Sequence, residues 1–356
     1  MIKAIQLIDS LHAGGAERVA VSYANALKPE ILASHLCTTR EEGDLKEQLN
    51  EGVGYLFLKK RSALDILAVV RLVRYCKNNQ INIIHAHGSS FLTAVLAHFF
   101  LGSTKVVWHN HYGNIQAMGR LYLGVLRWCS RYFSAILTVN EQLKTWSESY
   151  LRCSVVAYFK NGVPILDNDK VIPVDLEGDP NLRILLMANF REEKDHLNAI
   201  EAFSKVKRAI PEATLHLIGR HTDLSILKEV NARIEKYELA AAVFLHGSKQ
   251  NVNGFMRACR LGLLSSKAEG LPMALLEYGG MGMIVVSTAV GQCPSVLGND
   301  GYLVPPENPT ALAEALIKAL KEDNANMAAA FHERVISEYS IRAIIPKLVQ
   351  YYESVR

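Results

Sequence analysis

Glu269 and Glu277 are separated by seven residues in the stretch LGLLSSKAEGLPMALLEYGGMGMIVVSTAVGQCP, Leu261 to Pro294. Leu261–Leu264 reads as a buried strand, and a polar loop carries the first carboxylate. Pro272 then opens a helix, because its missing N–H costs nothing in a first turn, and Glu277 lies about one turn inside it. Gly279, Gly280 and Gly282 are read as its end. The N–H groups around Gly270, Leu271, Pro272 and Met273 point outward at a helix start, where an anion is favoured. Two carboxylates placed this way address different points of one phosphate-bearing molecule. The bland alternative is a pair of solvated glutamates beside an ordinary turn.

Three further groups carry chemistry. In ILLMANFREEKDHLNAIEAF a strand ends at Met187, and Arg191 and Lys194 stand at its mouth. They would meet a diphosphate with charge-assisted hydrogen bonds, unless they are only a surface charge cluster. In DSLHAGGAER, Gly14 and Gly15 let a backbone approach a ligand closely, or else form a tight turn with Gly14 at positive φ. This is not G-x-G-x-x-G, so nicotinamide and flavin binding gain little support. His85/His87 and His109/His111 form two H-x-H pairs at neighbouring strand ends, where alternate residues share a face. Four imidazoles could converge on zinc. No thiol or carboxylate accompanies them at ligand spacing, so the reading adopted is hydrogen-bonded strand-end histidines and no metal. His85 is assigned wholly to that structural role.

The elements that must position these residues alternate between strand-like and helix-like runs. Strands are expected at Lys3–Ile8, Ser34–Thr38, Gly54–Leu58, Ile81–His85, Lys105–Trp108, Ala135–Val139 and Val155–Tyr158. A second series follows at Arg183–Met187, Thr214–Ile218, Val243–His246, Leu261–Ser265, Ile284–Thr288 and Gly301–Val304. Such alternation predicts two α/β, doubly wound parallel-sheet domains. Between them lies the Pro/Asp/Gly-rich stretch NGVPILDNDKVIPVDLEGDPN, read as a linker; its Asp167 and Asp169 are read as solvated rather than metal-binding. The expected boundaries are 1–163 and 164–339, with an amphipathic terminal helix in 340–356 returning to the first domain.

At 356 residues and 49% hydrophobic composition, the chain is long and apolar enough for two cores. A net charge of +4 with dispersed basic residues gives no nucleic-acid signature. The six cysteines form no C-x-x-C pair and read as reduced thiols of a cytoplasmic protein. MIKAIQLIDS reads as a first strand, not a leader, and no run has the length and apolarity of a membrane span.

The Glu-x7-Glu spacing in its EGLPMALLEYGG context, with GGAERV and the later turns in the same order, resembles the retaining GT-B glycosyltransferases of family 4. The resemblance implies two Rossmann-like domains facing a central cleft, and transfer of a sugar from a nucleotide diphosphate donor, a UDP-sugar foremost. It implies Glu269 beside the transferred sugar, Glu277 on the ribose, and Gly14 and Gly15 near donor phosphates. Gly219 ends a strand as the family's glycine turn does, and Gly247 and Ser248 fall where the base is held. His111 is matched to the family's sugar-contacting histidine, with His109 the alternative by a two-residue shift and His87 facing the acceptor. The family usually shows G-R-L-x-x-x-K-G after the first strand of the second domain. Here Ala188, Asn189 and Phe190 replace Gly-Arg-Leu, Lys194 matches, and Arg191 is the candidate for the displaced guanidinium. No cofactor or metal is implied.

The acceptor implied is a glycan or polyprenyl-linked sugar of bacterial surface polysaccharide synthesis. In Gly119–Tyr132, Arg120, Arg127 and Arg131 stand beside Leu, Tyr and Trp. A basic amphipathic helix of this kind can lie on an anionic membrane, which would place the protein peripherally on the inner face, or it can simply pack on the sheet. The rival functions are a sugar-nucleotide epimerase of the same architecture and a degenerate sugar-binding relative.

Overall fold

The computed structural model describes residues 1–12, 14–111, 119–165 and 171–355. Ala13, Tyr112 and Gly113, and the linker residues Asp167 and Asp169 lie outside the described residues. The chain divides into two compact units, 1–164 with 339–356, and 165–338.

The first unit holds seven parallel strands: β1 (Lys3–Ser10), β2 (Ala33–Glu41), β3 (Gly54–Phe57), β4 (Ile83–His87), β5 (Lys105–Asn110), β6 (Ala135–Thr138) and β7 (Val156–Tyr158). Their order is β3-β2-β1-β4-β5-β6-β7. Helices α1 (Gly15–Leu27), α2 (Ile66–Asn79), α3 (Phe91–Leu101), α4 (Arg120–Cys129) and α5 (Glu141–Tyr150) connect them. Parallel strands covered on both faces are built from near-continuous apolar runs, and Ile5, Leu7, Ile84, Ala86, Trp108 and Ile136 are fully buried accordingly.

The second unit has six parallel strands: β8 (Arg183–Met187), β9 (Thr214–Ile218), β10 (Val243–Gly247), β11 (Leu261–Leu264), β12 (Ile284–Thr288) and β13 (Tyr302–Val304), in the order β10-β9-β8-β11-β12-β13. Its helices are α6 (His196–Ala209), α7 (Leu224–Lys236), α8 (Val252–Ala258), α9 (Met273–Gly280), α10 (Cys293–Leu297), α11 (Pro309–Lys321) and most of α12 (Ala325–Tyr339). In both sheets the order reverses once, between β1 and β4 and between β8 and β11. Loops leaving the carboxyl ends of strands at such a reversal are where open α/β sheets bind ligands.

The chain then returns to the first sheet. Val163 donates its N–H to Tyr339 O at 2.8 Å and accepts from Ile341 N at 2.8 Å. Helix α13 (Ile341–Ser354) starts there, capped by Ser340, whose hydroxyl accepts from Ala343 N. It packs against α1. Tyr352 is fully buried, and its hydroxyl accepts from Gln6 at 3.0 Å and lies 2.7 Å from His85 Nδ1.

Several boundaries differ from expectation. Strand β4 runs on to His87 and β5 to Asn110, because parallel pairing of His87 with His109 continues the ladder past the apolar run. The glycines end α9 as expected: Gly279 and Gly280 are its last two residues, Met281 caps it and Gly282 follows at φ +69°. A side chain at Gly279 would strike Phe331 and Val335 at 2.6 Å, so glycine there serves packing.

Candidate functional site

In the second unit, the loop after β8 and the loop after β11 flank the sheet's reversal point, and side chains from both meet there. Lys194 Nζ donates to Glu269 Oε1 at 2.7 Å, and Ser266 Oγ donates to the same oxygen at 2.6 Å. The Glu269 side chain is almost buried, and that of Lys194 keeps a quarter of its surface exposed. The two loops are also tied through their backbones. Lys267 N donates to Glu193 O at 2.8 Å, and Ser265 Oγ donates to Lys194 O at 2.9 Å. Asp195 turns the first loop into α6 with a left-handed φ of +48° and accepts from Asn198 N.

The loop after β12 closes against the carboxylate loop. Gly291 has φ +51°, and a Cβ there would lie 2.0 Å from Glu269 O. Thr288 Oγ1 donates to Ser266 O at 2.7 Å, and Gln292 N donates to Gly270 O at 3.2 Å. Pro272 precedes α9 without offering a side-chain cap, and Leu271 and Pro272 are buried while Met273 is half-buried. Glu277 sits in the second turn of α9, half-buried. So Lys194, Ser266, Glu269 and the start of α9 form one cluster, with a cation and a helix N-terminus available to an anion.

The divergent Ala188-Asn189-Phe190 segment has a structural use. Phe190 is fully buried and stacks on His196 at 4.2 Å. Asn189 Oδ1 accepts from Arg220 N at 2.9 Å, holding the turn after β9. Gly219 is required in that turn, since a Cβ would stand 1.8 Å from Ala188 O; its N–H donates to Gly247 O at 3.0 Å. Gly247 has φ +67° and ends β10, with Ser248 exposed after it. Arg191 is exposed and lies 3.9 Å from Glu193, so it does not join the Lys194–Glu269 pair.

In the first unit, Gly14 is extended at φ −156°, not at positive φ as a tight turn would require. It precedes α1, whose first residue is Gly15, and a Cβ at Gly14 would meet the Glu17 carboxylate at 2.3 Å. Beyond it, the four histidines form a stacked array on one sheet face. Ring centroids of His85 and His87 are 4.6 Å apart, those of His109 and His111 4.1 Å, and those of His87 and His111 5.2 Å. His87 Nε2 donates to Gln6 Oε1 at 2.9 Å, and His87 Nδ1 lies 2.9 Å from His111 Nε2. Because His87 gives its proton to the Gln6 oxygen, its Nδ1 accepts from His111. Burial holds His85 and His111 down to about 3 and His87 and His109 well below the usual imidazole range; His111 adds to the effect at His85, His85 and His111 add at His87, and all three other imidazoles add at His109. The array is therefore neutral at pH 7. Sequence reasoning missed Gln6, Tyr352 and Ser266: a glutamine on a strand, a tyrosine near the end of the chain and a loop serine carry no spacing signal.

Two parallel doubly wound domains of this strand order, with a lysine–glutamate pair at the second reversal point, define a GT-B glycosyltransferase architecture. Residues 13–165 match the family model described as Glycosyltransferase Family 4, and residues 168–337 match Glycosyl transferases group 1; the chain belongs to this family. The chain is 21% identical to an Escherichia coli UDP-Gal:alpha-D-GlcNAc-diphosphoundecaprenol alpha-1,3-galactosyltransferase, over 98% of this chain and 95% of that protein. It is 26% identical to a Bacillus subtilis poly(glycerol-phosphate) alpha-glucosyltransferase over 40% of this chain and only 21% of that longer relative. Anabaena HepE, crystallised with UDP and glucose, superposes with a TM-score of 0.85 at 18% identity, covering 99% of this chain and all of that one.

Proposed function

We propose that this glycosyltransferase moves a hexosyl group from a UDP-sugar to a glycan or polyprenyl-linked acceptor, with retention at the anomeric carbon and without a metal at the donor phosphates. The observation that carries the reading is the Lys194–Glu269–Ser266 cluster at the β8/β11 reversal point. As the glycosyl–phosphate bond breaks, negative charge grows on the departing diphosphate. Lys194 and the N–H groups opening α9 are placed to stabilise it, since fixed donors aimed at developing charge lower a barrier without reorganisation. In this reading Glu269 serves the sugar and Glu277 the ribose. The donor and acceptor classes rest on the names of the relatives, which pair a UDP-sugar with a diphosphoundecaprenol-linked acceptor in one case.

Membrane-surface contact fits the exposed face of the first domain. Helices α2, α3 and α4 are neighbours. They leave Ile66, Leu67, Phe99, Phe100 (65% exposed), Leu121 (84%) and Trp128 in solvent. Arg61, Arg71, Arg74, Arg120, Arg127 and Arg131 are exposed on or beside the same helices. Exposed apolar side chains and arginines on the same helices suit an anionic lipid surface. Among the described residues no helix is long and apolar enough to cross a membrane.

Calorimetric titration of UDP, GDP and ADP into the protein and its Glu277→Ala variant tests the donor site. UDP binding sharply weakened by the substitution supports it; no binding of any nucleotide overturns it. Incubation with UDP-sugars alone separates the rivals, because an epimerase converts the donor without an acceptor and a transferase does not.

A further inference from the structure

We propose that His85, His87 and His109 form a buried site for one divalent transition-metal ion of the zinc type. All three side chains stand on one face of adjacent parallel strands: His85 and His87 alternate along β4, and His109 on β5 is the direct ladder partner of His87. All three are buried, and one ring nitrogen from each lies within 4.8 Å of the other two. Among the described residues, His85 Nε2 and both nitrogens of His109 have no hydrogen-bond partner. Buried polar atoms are nearly always bonded, and leaving one unmet costs about 1–3 kcal/mol. An electron-pair acceptor held among the three rings takes up the unmet His85 nitrogen and one of the two on His109, with His87 as the third ligand.

The donor chemistry selects the ion. Neutral imidazoles without carboxylate or carbonyl oxygen suit zinc, copper, nickel or cobalt rather than magnesium or calcium. The opposite ring nitrogens are held by oxygen in two of the three cases: His85 Nδ1 by the Tyr352 hydroxyl at 2.7 Å, and His87 Nε2 by Gln6 Oε1 at 2.9 Å. Metal-bound histidines are oriented in this manner. Zinc–imidazole bonds of about 2.0–2.1 Å place tetrahedral nitrogens about 3.4 Å apart, so each ring closes in by less than about 1 Å. The rings lie within 26° of parallel and must fan apart. Rotation about the broad Cβ–Cγ torsion supplies this. Ligation through His87 Nδ1 takes the place of the hydrogen bond that His111 Nε2 gives it, and His111 is not a ligand. Such an ion clamps β4 to β5 beneath α13 and takes no step in the glycosyl transfer.

The test uses the full chain, stripped with a chelator and titrated with zinc chloride by calorimetry and with cobalt chloride by visible absorption. One zinc per chain is expected, with tetrahedral cobalt bands, a thermal midpoint raised by zinc, and affinity lowered at least tenfold by His109→Asn. Tyr352→Phe retains every ligand but removes the oxygen on His85, and is expected to weaken zinc about tenfold. This variant keeps the question answerable where His109→Asn does not fold. Absence of stoichiometric zinc uptake by the wild-type chain, or uptake unchanged in the folded variants, overturns the site. Neither result bears on nucleotide binding, which is read separately.

Discussion

The two reversal points of the two sheets present opposite solutions to the same topological opportunity. At β8/β11 the groups are charged, and they answer one another: Lys194 and Ser266 both donate to one oxygen of Glu269. At β1/β4 and the adjoining β5 the groups are neutral imidazoles, and three buried ring nitrogens have no partner among the described residues. A charged pair whose lysine keeps a quarter of its surface exposed can exchange partners when a charged ligand arrives. A buried neutral array cannot do this and meets only what fits between its nitrogens. On the proposed function, the contrast puts charge stabilisation in the second domain, and substitution of its residues tests that.

The largest expected effect tests the charged side. If Lys194 meets the diphosphate as proposed, Lys194→Ala should lower turnover about 10²–10³-fold, as for removal of one preorganised donor. Steady-state rates with a UDP-sugar and acceptor measure it. His111→Ala should lower turnover as well but leave UDP affinity within about twofold, because its imidazole belongs to the other domain and a single lost neutral contact is worth little. A Lys194→Ala enzyme retaining full rate would remove the second domain's role.

Next in size is Glu277→Ala. A carboxylate accepting from ribose hydroxyls forms charge-assisted hydrogen bonds, so its loss should weaken UDP by roughly 10–100-fold. Calorimetry reads this directly. An equal loss of affinity on replacing His111 would break the separation between the two regions.

These residues were unequally legible in the chain. Glu269, Glu277 and Lys194 are marked by local context: a proline that opens a helix, an apolar run before it and glycines after it. That Lys194 and Glu269 touch is not local, since 75 residues separate them. The same holds for Gln6 and Tyr352, brought together across 346 residues by the returning α13. Strand ends were misplaced at β4 and β5 because an apolar run signals burial, while the strand itself continues wherever a neighbour continues to pair. That extension carries His87 and His109 into the ladder and is what aligns the array. Asn189 read as a gap in the phosphate clamp because its hydrogen bond to the turn after β9 is tertiary.

A smaller effect concerns acid. His196 and His216 in the second domain are held down to about 4, chiefly by burial, with Lys194 adding at the first and His246 and Arg183 at the second. Unfolded, each would titrate near 6.5, so the unfolded chain binds more protons between about 6.5 and 4. Stability from these groups is present above about pH 6.5 and is lost as pH falls towards 4, on the order of 1–2 kcal/mol per histidine by pH 5. Urea titrations at pH 7, 6 and 5 should show the midpoint falling. His196→Phe, which keeps a ring against Phe190, should flatten that fall; a midpoint independent of pH would exclude both histidines as its source.

The smallest effect bears on how narrow the charged cluster is. Arg191 is only three residues before Lys194, yet it is exposed and lies 3.9 Å from Glu193, on a contact that solvent screens. If the diphosphate is met by Lys194 and the start of α9 alone, Arg191→Ala should change turnover by no more than about threefold, as for a surface charge worth under about 1 kcal/mol. If binding draws the guanidinium inward to replace the arginine that Asn189 displaces, the loss should approach that of Lys194→Ala and diminish with added salt. Measuring both variants at two ionic strengths decides between a one-cation and a two-cation clamp. A two-cation result would make the contrast between the domains sharper, since every formal charge on the diphosphate would then be met from the second domain while the histidine array stays neutral.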